Sequence, residues 1–331
     1  MTLTEAQRIR ELIFSHGYDA IAVAGPTASG KTGLSIALAR ALGGEVISCD
    51  SMQIYKGMDI ATAKVTREEM GDIPHHLIDI RELGEVYSAA DYVKDATEAV
   101  EDIRARGALP IFCGGTGLYL ESVMRGEYPD ASESDPALRE ELFEYAREHG
   151  NRALHDMLRS LDAESADAIH ENNVKRVVRA IEIIRASGMK KSELDREHSE
   201  MRGKKIFCVY LCFSDRELLY DRIGRRVDIM LRDGVCDELK ALMTEPDFMN
   251  NQTAIQAIGY KELFPYVRGE SSLEECVEEL KKATRRYAKR QLTWFSRREY
   301  MRGLYSDTEG GMKPTDRLAC EYVELLENEL K

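Results

Sequence analysis

Short apolar runs alternate with longer stretches of helical spacing over the first third of the chain. Ile21–Ala24, Glu45–Cys49 and Leu109–Cys113 are brief and apolar enough to be buried strands, and the segments 34–42 and 89–106 between them carry apolar residues at three- and four-residue spacing. A short amphipathic helix at 5–16 precedes the first strand. Strands alternating with helices predict an α/β core around a parallel sheet flanked by helices. Residues 51–88 are rich in loop signals (Gly57, Gly71, Pro74, Gly84), with one short apolar stretch at His76–Ile80. After Tyr128 the pattern changes. From Pro129 to Lys204 the spacing is helical throughout, with helix starts at Ser134-Asp135-Pro136 and at Asp162. The strand pattern returns at Ile206–Cys212, and helices are expected at 215–231, 234–243 and 273–298. The chain therefore divides into a core at 1–128, an all-helical insertion at 129–204, and a second part of the core at 205–310 ending in a basic helix. A tail at 311–331 follows, of which 315–330 fits one more helix.

The first strand runs into Gly25-Pro26-Thr27-Ala28-Ser29-Gly30-Lys31-Thr32, and a helix begins near Lys31. This is a phosphate-binding loop in its proper context of strand, turn and helix. Gly25 and Gly30 let the backbone fold back so that successive N–H groups converge on one anion. The helix N-terminus adds partial positive charge. Lys31 supplies a full charge, and the Thr32 hydroxyl is placed to hold Mg²⁺ against phosphate oxygens. In a parallel sheet ligands gather at the carboxyl ends of the strands. Here that edge carries the loop, Asp50 after the second strand, and Gly114–Gly117 after the third.

Composition narrows the class without choosing the chemistry. The chain has 331 residues, 43% hydrophobic and 32% charged, and a net charge of −13. No run is long enough to span a membrane, and the first twenty residues lack the apolar core of a secretory signal. Seven cysteines without zinc-type spacing are expected to be reduced thiols of a cytoplasmic protein. His75 and His76 have no third ligand at metal spacing.

Several residues could carry chemistry. Asp50 could accept a proton or organise Mg²⁺ through water, or it could simply cap a turn. Phosphate-loop NTPases usually place an acid at the end of a later strand, whereas the strand Leu109–Cys113 ends in Gly114-Gly115-Thr116. That weakens an ordinary ATPase reading and leaves Asp50 as the leading acid. Arg222, Arg225 and Arg226 follow the strand at 206–212, and Arg222 and Arg226 share one helix face. Asn173 to Ile181 sets Lys175, Arg176 and Arg179 against Val174, Val177, Val178 and Ile181. Residues 281–302 hold nine Lys and Arg against the single acid Glu299, with Tyr287, Trp294 and Phe295 interleaved. In an acidic chain, basic helices interleaved with aromatics are a nucleic-acid signature; a solvated helix face is the plainer alternative.

Read together, the motifs resemble those of the bacterial tRNA dimethylallyltransferase (tRNA isopentenyltransferase) family. They run in the family's order: Gly25–Thr32, Ser48–Ile60, Thr62-Ala63-Lys64, Pro74–Asp79, Tyr87–Asp91, Gly114–Tyr119, Asp135–Arg139, Asn173–Arg179, Gly259-Tyr260-Lys261 and Ala283–Phe295. Ala61 stands where the family usually has Gly, and Cys113 where a branched aliphatic is usual. The resemblance implies a P-loop NTPase-like core and transfer of a dimethylallyl group from dimethylallyl diphosphate to N6 of adenosine 37, in tRNAs reading codons that begin with U. By the same resemblance, Gly25–Thr32 would hold the diphosphate, with Mg²⁺ on Thr32, and Arg226 would help offset the leaving group. Asp50 would take the N6 proton. Asp50, Ser51, Met52, Gln53, Thr116, Arg139, Lys175, Arg176, Val177, Val178, Arg179, Gln256, Ala257, Ile258, Gly259, Tyr260 and Lys261 match tRNA-contacting positions. The insertion would grip the anticodon stem-loop. The protein is expected to be a monomer without a membrane partner. An isopentenyltransferase of free adenine nucleotides lacks most of such an insertion; a small-molecule kinase with the same loop is the reading from another class.

Overall fold

The computed structural model describes residues 3–126, 135–199 and 203–331. Two compact units emerge. One comprises 1–88, 94–121 and 204–331, the other 89–93 and 122–203. The expected boundary at Tyr128/Pro129 and the cap position Ser134 lie outside the described residues.

The first unit is built on a six-stranded sheet: β1 (Ala20–Ala24), β2 (Gly44–Cys49), β3 (His75–His76), β4 (Leu109–Gly114), β5 (Ile206–Cys212) and β6 (Met301–Tyr305). The order is β3-β2-β4-β1-β5-β6 and every pairing is parallel. β1 is central and buried along its whole length, so the loop that follows it opens at the middle of the sheet's carboxyl edge. Alternation along the strands divides the core into two layers. Ile21, Val23, Phe207, Val209 and Leu211 pack with Leu34, Leu38 and Leu42 of the loop helix (Lys31–Leu42) and with Ile9 and Ile13 of helix Leu3–Ser15. On the other face Tyr210 stacks on Phe295 of the basic helix (Leu273–Ser296), with ring centroids 6.1 Å apart.

One feature differs from the sequence reading. β3 and β6 are strands that the hydrophobic pattern does not show: β3 has two residues, and β6, Met-Arg-Gly-Leu-Tyr, is an edge strand with only two buried positions. The segment 311–331 carries the further helix expected at 315–330. Its helix, Thr315–Glu329, places Leu318, Tyr322 and Leu326 in the same apolar layer as β1 and β5. The Tyr322 hydroxyl donates to Ala22 O at 3.1 Å, and its ring meets Phe207 edge-on at 5.9 Å.

The second unit is helical in its described part: Pro136–His149, Asn151–Leu161, Ala163–Ala168, Val174–Ser187 and Lys191–Ser199. Its starts follow capping chemistry. Asp135 Oδ1 accepts from Ala137 N and Leu138 N with Pro136 in the first turn, and Asp162 Oδ1 accepts from Ser165 N. Its own core contains Leu142, Leu154, Leu158, Val177, Val178 and Ile181.

The place of the C-terminal helix gives a stability prediction. Tyr322→Ala removes a fully buried ring and should cost about 3–5 kcal/mol in denaturant unfolding, as large aromatic truncations do. Tyr305→Ala, at a ring 54% exposed, should stay within about 0.5 kcal/mol. Equal, negligible effects would mean that the helix is dispensable.

Candidate active site

The chain leaves β1 at Gly25, with φ +144°, and a Cβ there would stand 3.1 Å from both Leu211 N and Leu211 O of β5. The turn needs glycine because two backbones meet at it. Ala28 (φ 63°) and Gly30 (φ 94°) then bend the loop back so that the loop helix starts at Lys31. The sequence Gly-x-x-x-x-Gly-Lys-Thr thus becomes a cradle of backbone N–H groups at a helix N-terminus.

Three cations converge on this cradle. Lys31 Nζ donates to Pro26 O at 2.7 Å, and burial pushes its ammonium down to about 8. Arg222, on the arginine helix (Arg216–Arg232), donates from Nε to Ala28 O at 2.7 Å. Arg226, one turn further along, has a buried Nε with no hydrogen-bond partner. Burial lowers both guanidinium groups from their ordinary values, and the Asp50 carboxylate works against that at Arg226. Ser29 Oγ is likewise buried without a partner. Desolvated cations and unsatisfied donors around an N–H cradle are disfavoured in themselves, and a bound polyphosphate supplies what they lack. Arg225, between the two arginines, is exposed.

The cradle opens into a cleft of about 830 Å³. Its walls are the loop 27–33, the turn 50–53, the segment 59–66, the arginine helix, residues 256–258 and the basic helix. Val227, Met230 and Leu280 give one side an apolar surface beside Arg226. Asp50, at the end of β2, accepts from Met52 N on Oδ1 at 3.0 Å. The turn-capping role is therefore real, but it occupies one oxygen; among the described residues Oδ2 takes no hydrogen bond. Thr116 ties β4 to β2 by donating from N to Cys49 O at 3.1 Å and accepting at Oγ1 from Ser51 N at 3.3 Å.

Mg²⁺ fits this donor set in one way. Among the described residues no cluster of three or more Asp, Glu, His or Cys side chains could hold a metal unaided. The Thr32 hydroxyl and Asp50 line the same cleft, so a metal there would take most of its ligands from phosphate oxygens and water, which is how Mg²⁺ is usually held. His75 and His76 serve the sheet edge: His75 Nδ1 bonds Ile73 O at 2.9 Å and His76 Nε2 bonds Glu45 at 2.7 Å.

The remaining residues singled out above separate by environment. Gln256, Ala257 and Ile258 line the cleft, and Lys261 is exposed. The Gln53 amide is committed internally, accepting from the Ser48 hydroxyl and donating to Thr62 O and Ala63 O. Tyr260 is fully buried and donates its hydroxyl to Glu238 at 2.7 Å. In the helical unit Lys175 and Arg176 are exposed, while Val177 and Val178 are fully buried in the core. The side chains of Val177, Val178 and Tyr260 are thus spent on packing. Arg139 forms a two-pronged pair with the buried Glu182 at 2.9 and 2.7 Å, and Arg179 lies 3.5 Å from the same carboxylate. In the basic segment Lys281, Lys282, Arg298 and Arg302 pair with acids. Arg285, Arg286, Lys289, Arg290 and Arg297 make no ion pair among the described residues.

Gln291 was not singled out on its own by the sequence. It is buried on the basic helix, accepting from Thr27 N at 2.9 Å and donating to Gly115 O at 3.0 Å. It thereby joins the phosphate loop to the end of β4. The Lys289-Arg290-Gln291-Leu292-Thr293-Trp294 run carries it, and there its charged neighbours are the more conspicuous feature.

The family model described as IPP transferase matches residues 53–299. The chain belongs to the IPP transferase family. A tRNA dimethylallyltransferase of Bacillus pumilus is 48% identical over 83% of this chain and 86% of its own length. One from Thermoanaerobacter sp. is 43% identical over 87% of this chain and 91% of its own. The crystal structure of a tRNA isopentenylpyrophosphate transferase from Bacillus halodurans is 41% identical, with a TM-score of 0.68 over 94% of this chain and 96% of that one. A eukaryotic dimethylallyltransferase acting on tRNA shares 30% identity, with a TM-score of 0.77 over 94% of this chain and 78% of that one. The P-loop-like fold with its parallel sheet is thus common to the chain and its structural relatives. Among the described residues no helix is long and apolar enough to cross a membrane.

The desolvated lysine gives a pH signature. A bound diphosphate favours charged Lys31, so above about 8 the free protein must take up a proton to bind, and affinity should fall by up to about tenfold per pH unit. Titrating inorganic pyrophosphate between pH 7 and about 10 should show this slope in the wild type, beyond that of a Lys31→Met control. For stability the sign is opposite. A lysine whose folded value is depressed opposes folding below that value, and the penalty fades as pH rises toward its ordinary 10.5. Unliganded Lys31→Met should therefore be stabilised at pH 7 and converge on wild type in alkali. Equal pyrophosphate slopes for the two proteins would sink this account.

Proposed function

We propose that the protein transfers a dimethylallyl group from dimethylallyl diphosphate to N6 of adenosine 37 in tRNAs that read codons beginning with U, releasing diphosphate. The observation that carries this reading is the grouping of three desolvated cations, a carboxylate with a free oxygen and an apolar wall around one cleft. The diphosphate lies in the N–H cradle, and Lys31, Arg222 and Arg226 offset the charge that grows on it as the allylic C–O bond breaks. The five-carbon chain lies against Val227, Met230 and Leu280. Asp50 Oδ2 accepts the proton that N6 loses as it bonds the allylic carbon, while Oδ1 stays with Met52 N and fixes the carboxylate. The Thr32 hydroxyl would hold Mg²⁺, with Asp50 reaching it through water, and the metal would supply further neutralisation of the leaving group.

The adenine must leave its stack to enter such a cleft. Gln256–Ile258, Ser51, Thr116 and the unpaired cations of the basic helix are the groups at hand for the nucleotide, and Lys175 and Arg176 for the backbone of the anticodon stem. We take the protein to act as a monomer in the cytoplasm. The free-nucleotide and kinase readings have no observation in their favour beyond the loop itself.

The test is transfer by purified protein from labelled dimethylallyl diphosphate to unmodified tRNA, with free AMP as the competing acceptor. Label in nuclease-digested tRNA at adenosine 37 is the expected result; label in AMP, or ATP hydrolysis without tRNA, would overturn the proposal. Within that assay Asp50→Asn keeps the turn cap, since Asn caps nearly as well as Asp, but loses the basicity. It should melt like wild type and transfer about 10²–10⁴-fold more slowly in single turnover; near-normal transfer would end the base assignment. Replacing Lys175 and Arg176 by Ala should flatten the salt dependence of tRNA binding by about one unit of slope for each phosphate no longer neutralised. An unchanged slope would make them a solvated face.

A further inference from the structure

Helix Val235–Met243 carries Glu238, which does not line the cleft but holds one of its walls. Glu238 Oε2 accepts from Asp59 N at 3.0 Å and Ile60 N at 2.8 Å, and Oε1 accepts from Ala61 N at 3.2 Å and the Tyr260 hydroxyl at 2.7 Å. Three successive N–H groups thus close on one carboxylate, the arrangement by which backbone nests hold anions. Each bond is charge-assisted. Behind it Gly259 packs closely on the Ala61 side chain: a Cβ on Gly259, at φ +111°, would stand 2.7 Å from Ala61 Cβ.

The held segment leads directly to the chemistry. Residues 59–66 form a wall of the cleft. Thr62 O and Ala63 O accept from Gln53 Nε2 at 3.2 and 3.4 Å, and Gln53 closes the turn that begins at Asp50. Lys64, its side chain 6% exposed, ties the same segment to Asp59 and Asp79 at 2.6 and 2.5 Å and to Tyr55 O at 2.8 Å. These bonds make 53–64 one stiff strap, and Glu238 anchors it to the helices that follow β5.

We propose that Glu238 is a positioning residue for the transfer, setting the cleft wall at 59–64 and, through Gln53, the placement of the Asp50 turn. The inference rests on the transferase reading of the cleft. Among the described residues Glu238 makes no hydrogen bond or ion pair with the cradle groups Lys31, Arg222 and Arg226, so we assign the strap to the acceptor side and not to diphosphate affinity. A wall displaced by about 1 Å can slow a reaction about 10²-fold without touching a reacting atom.

The experiment compares wild type, Glu238→Ala, Glu238→Gln and the exposed neighbour Asp237→Ala in four measurements. These are single-turnover transfer at saturating tRNA and donor, pyrophosphate affinity, thermal melting, and amide hydrogen exchange over 59–64. Glu238→Ala should transfer about 10- to 100-fold more slowly, bind pyrophosphate as wild type does, stay folded, and exchange faster at Asp59, Ile60 and Ala61. Glu238→Gln, whose amide oxygen still accepts, should fall between Ala and wild type. Asp237→Ala should match wild type. Wild-type transfer by Glu238→Ala would overturn the proposal, as would a slowing matched by equal declines in pyrophosphate affinity and folded fraction. A wild-type protein unable to transfer would refute the transferase reading instead. Exchange at 59–61 would then judge the lock, and unchanged exchange in Glu238→Ala would overturn it.

Discussion

The site depends on charge held out of water in advance of its ligand. Lys31, Arg222 and Arg226 are each lowered by burial, and Lys31 and Arg222 donate to the loop's own carbonyls at Pro26 and Ala28. Those bonds satisfy donors without neutralising charge, and Arg226 Nε lacks even that. Placing the loop at the end of the fully buried central strand makes this possible, because the sheet excludes water from below while the arginine helix and the basic helix enclose the sides. On the proposed reading, the stability forgone here is the interaction that a diphosphate would recover on binding, most of all when the charge on its phosphates is greatest. A cluster of solvated lysines would bind the same anion while discriminating less between donor and leaving group.

Much of this was legible in the chain. The phosphate loop, Asp50 and Gly114–Gly117 each follow an apolar run of strand length, and a parallel sheet collects such loops on one edge, so their convergence follows from topology. The arginine pair was legible as a four-residue spacing, and its partial burial explains why it is not the solvated face that spacing also allows. Other features had no local signal. β6 has only two buried positions because it is an edge strand, and its place is determined by β5 far away in sequence. Glu238 and Gln291 act through backbone groups 177 and 264 residues away, and nothing in a polar side chain on a helix announces which distant N–H it will receive. Val177 and Val178 show the converse: the motif groups them with Lys175 and Arg176, but the helix turns the two valines into the core and leaves the two cations exposed.

The basic helix resolves an ambiguity that net charge cannot. Of the nine cations between Lys281 and Arg302, in this helix and just after it, those of Lys281, Lys282, Arg298 and Arg302 are matched by acids, and Arg298 also lies over the Trp294 ring at 4.3 Å. That portion is structural. Arg285, Arg286, Lys289, Arg290 and Arg297 are left over, and Arg290 both lines the cleft and lies over Tyr287 at 5.6 Å. A chain with thirteen excess negative charges has acids enough to pair them, so five cations in one stretch with no ion pair among the described residues concentrate positive potential where a polyanion would approach.

The same helix carries Gln291, and this matters for how the two substrates relate. Gln291 occupies the Thr27 N–H, removing one donor from the cradle, and its other end holds Gly115 O beside Thr116. The phosphate loop, the β4 end and the helix with the unpaired cations are therefore held to one another through a single buried amide. A Cβ on Gly115 would fall 2.1 Å from Gln291 Nε2, and one on Gly114 would fall 2.0 Å from Cys49 O, so this bridge requires Gly115 and the β2 backbone requires Gly114. The phosphate loop and the cationic surface are thus joined as one piece. The cleft wall at 59–64 belongs to a separately anchored strap, and the two meet at the turn after Asp50.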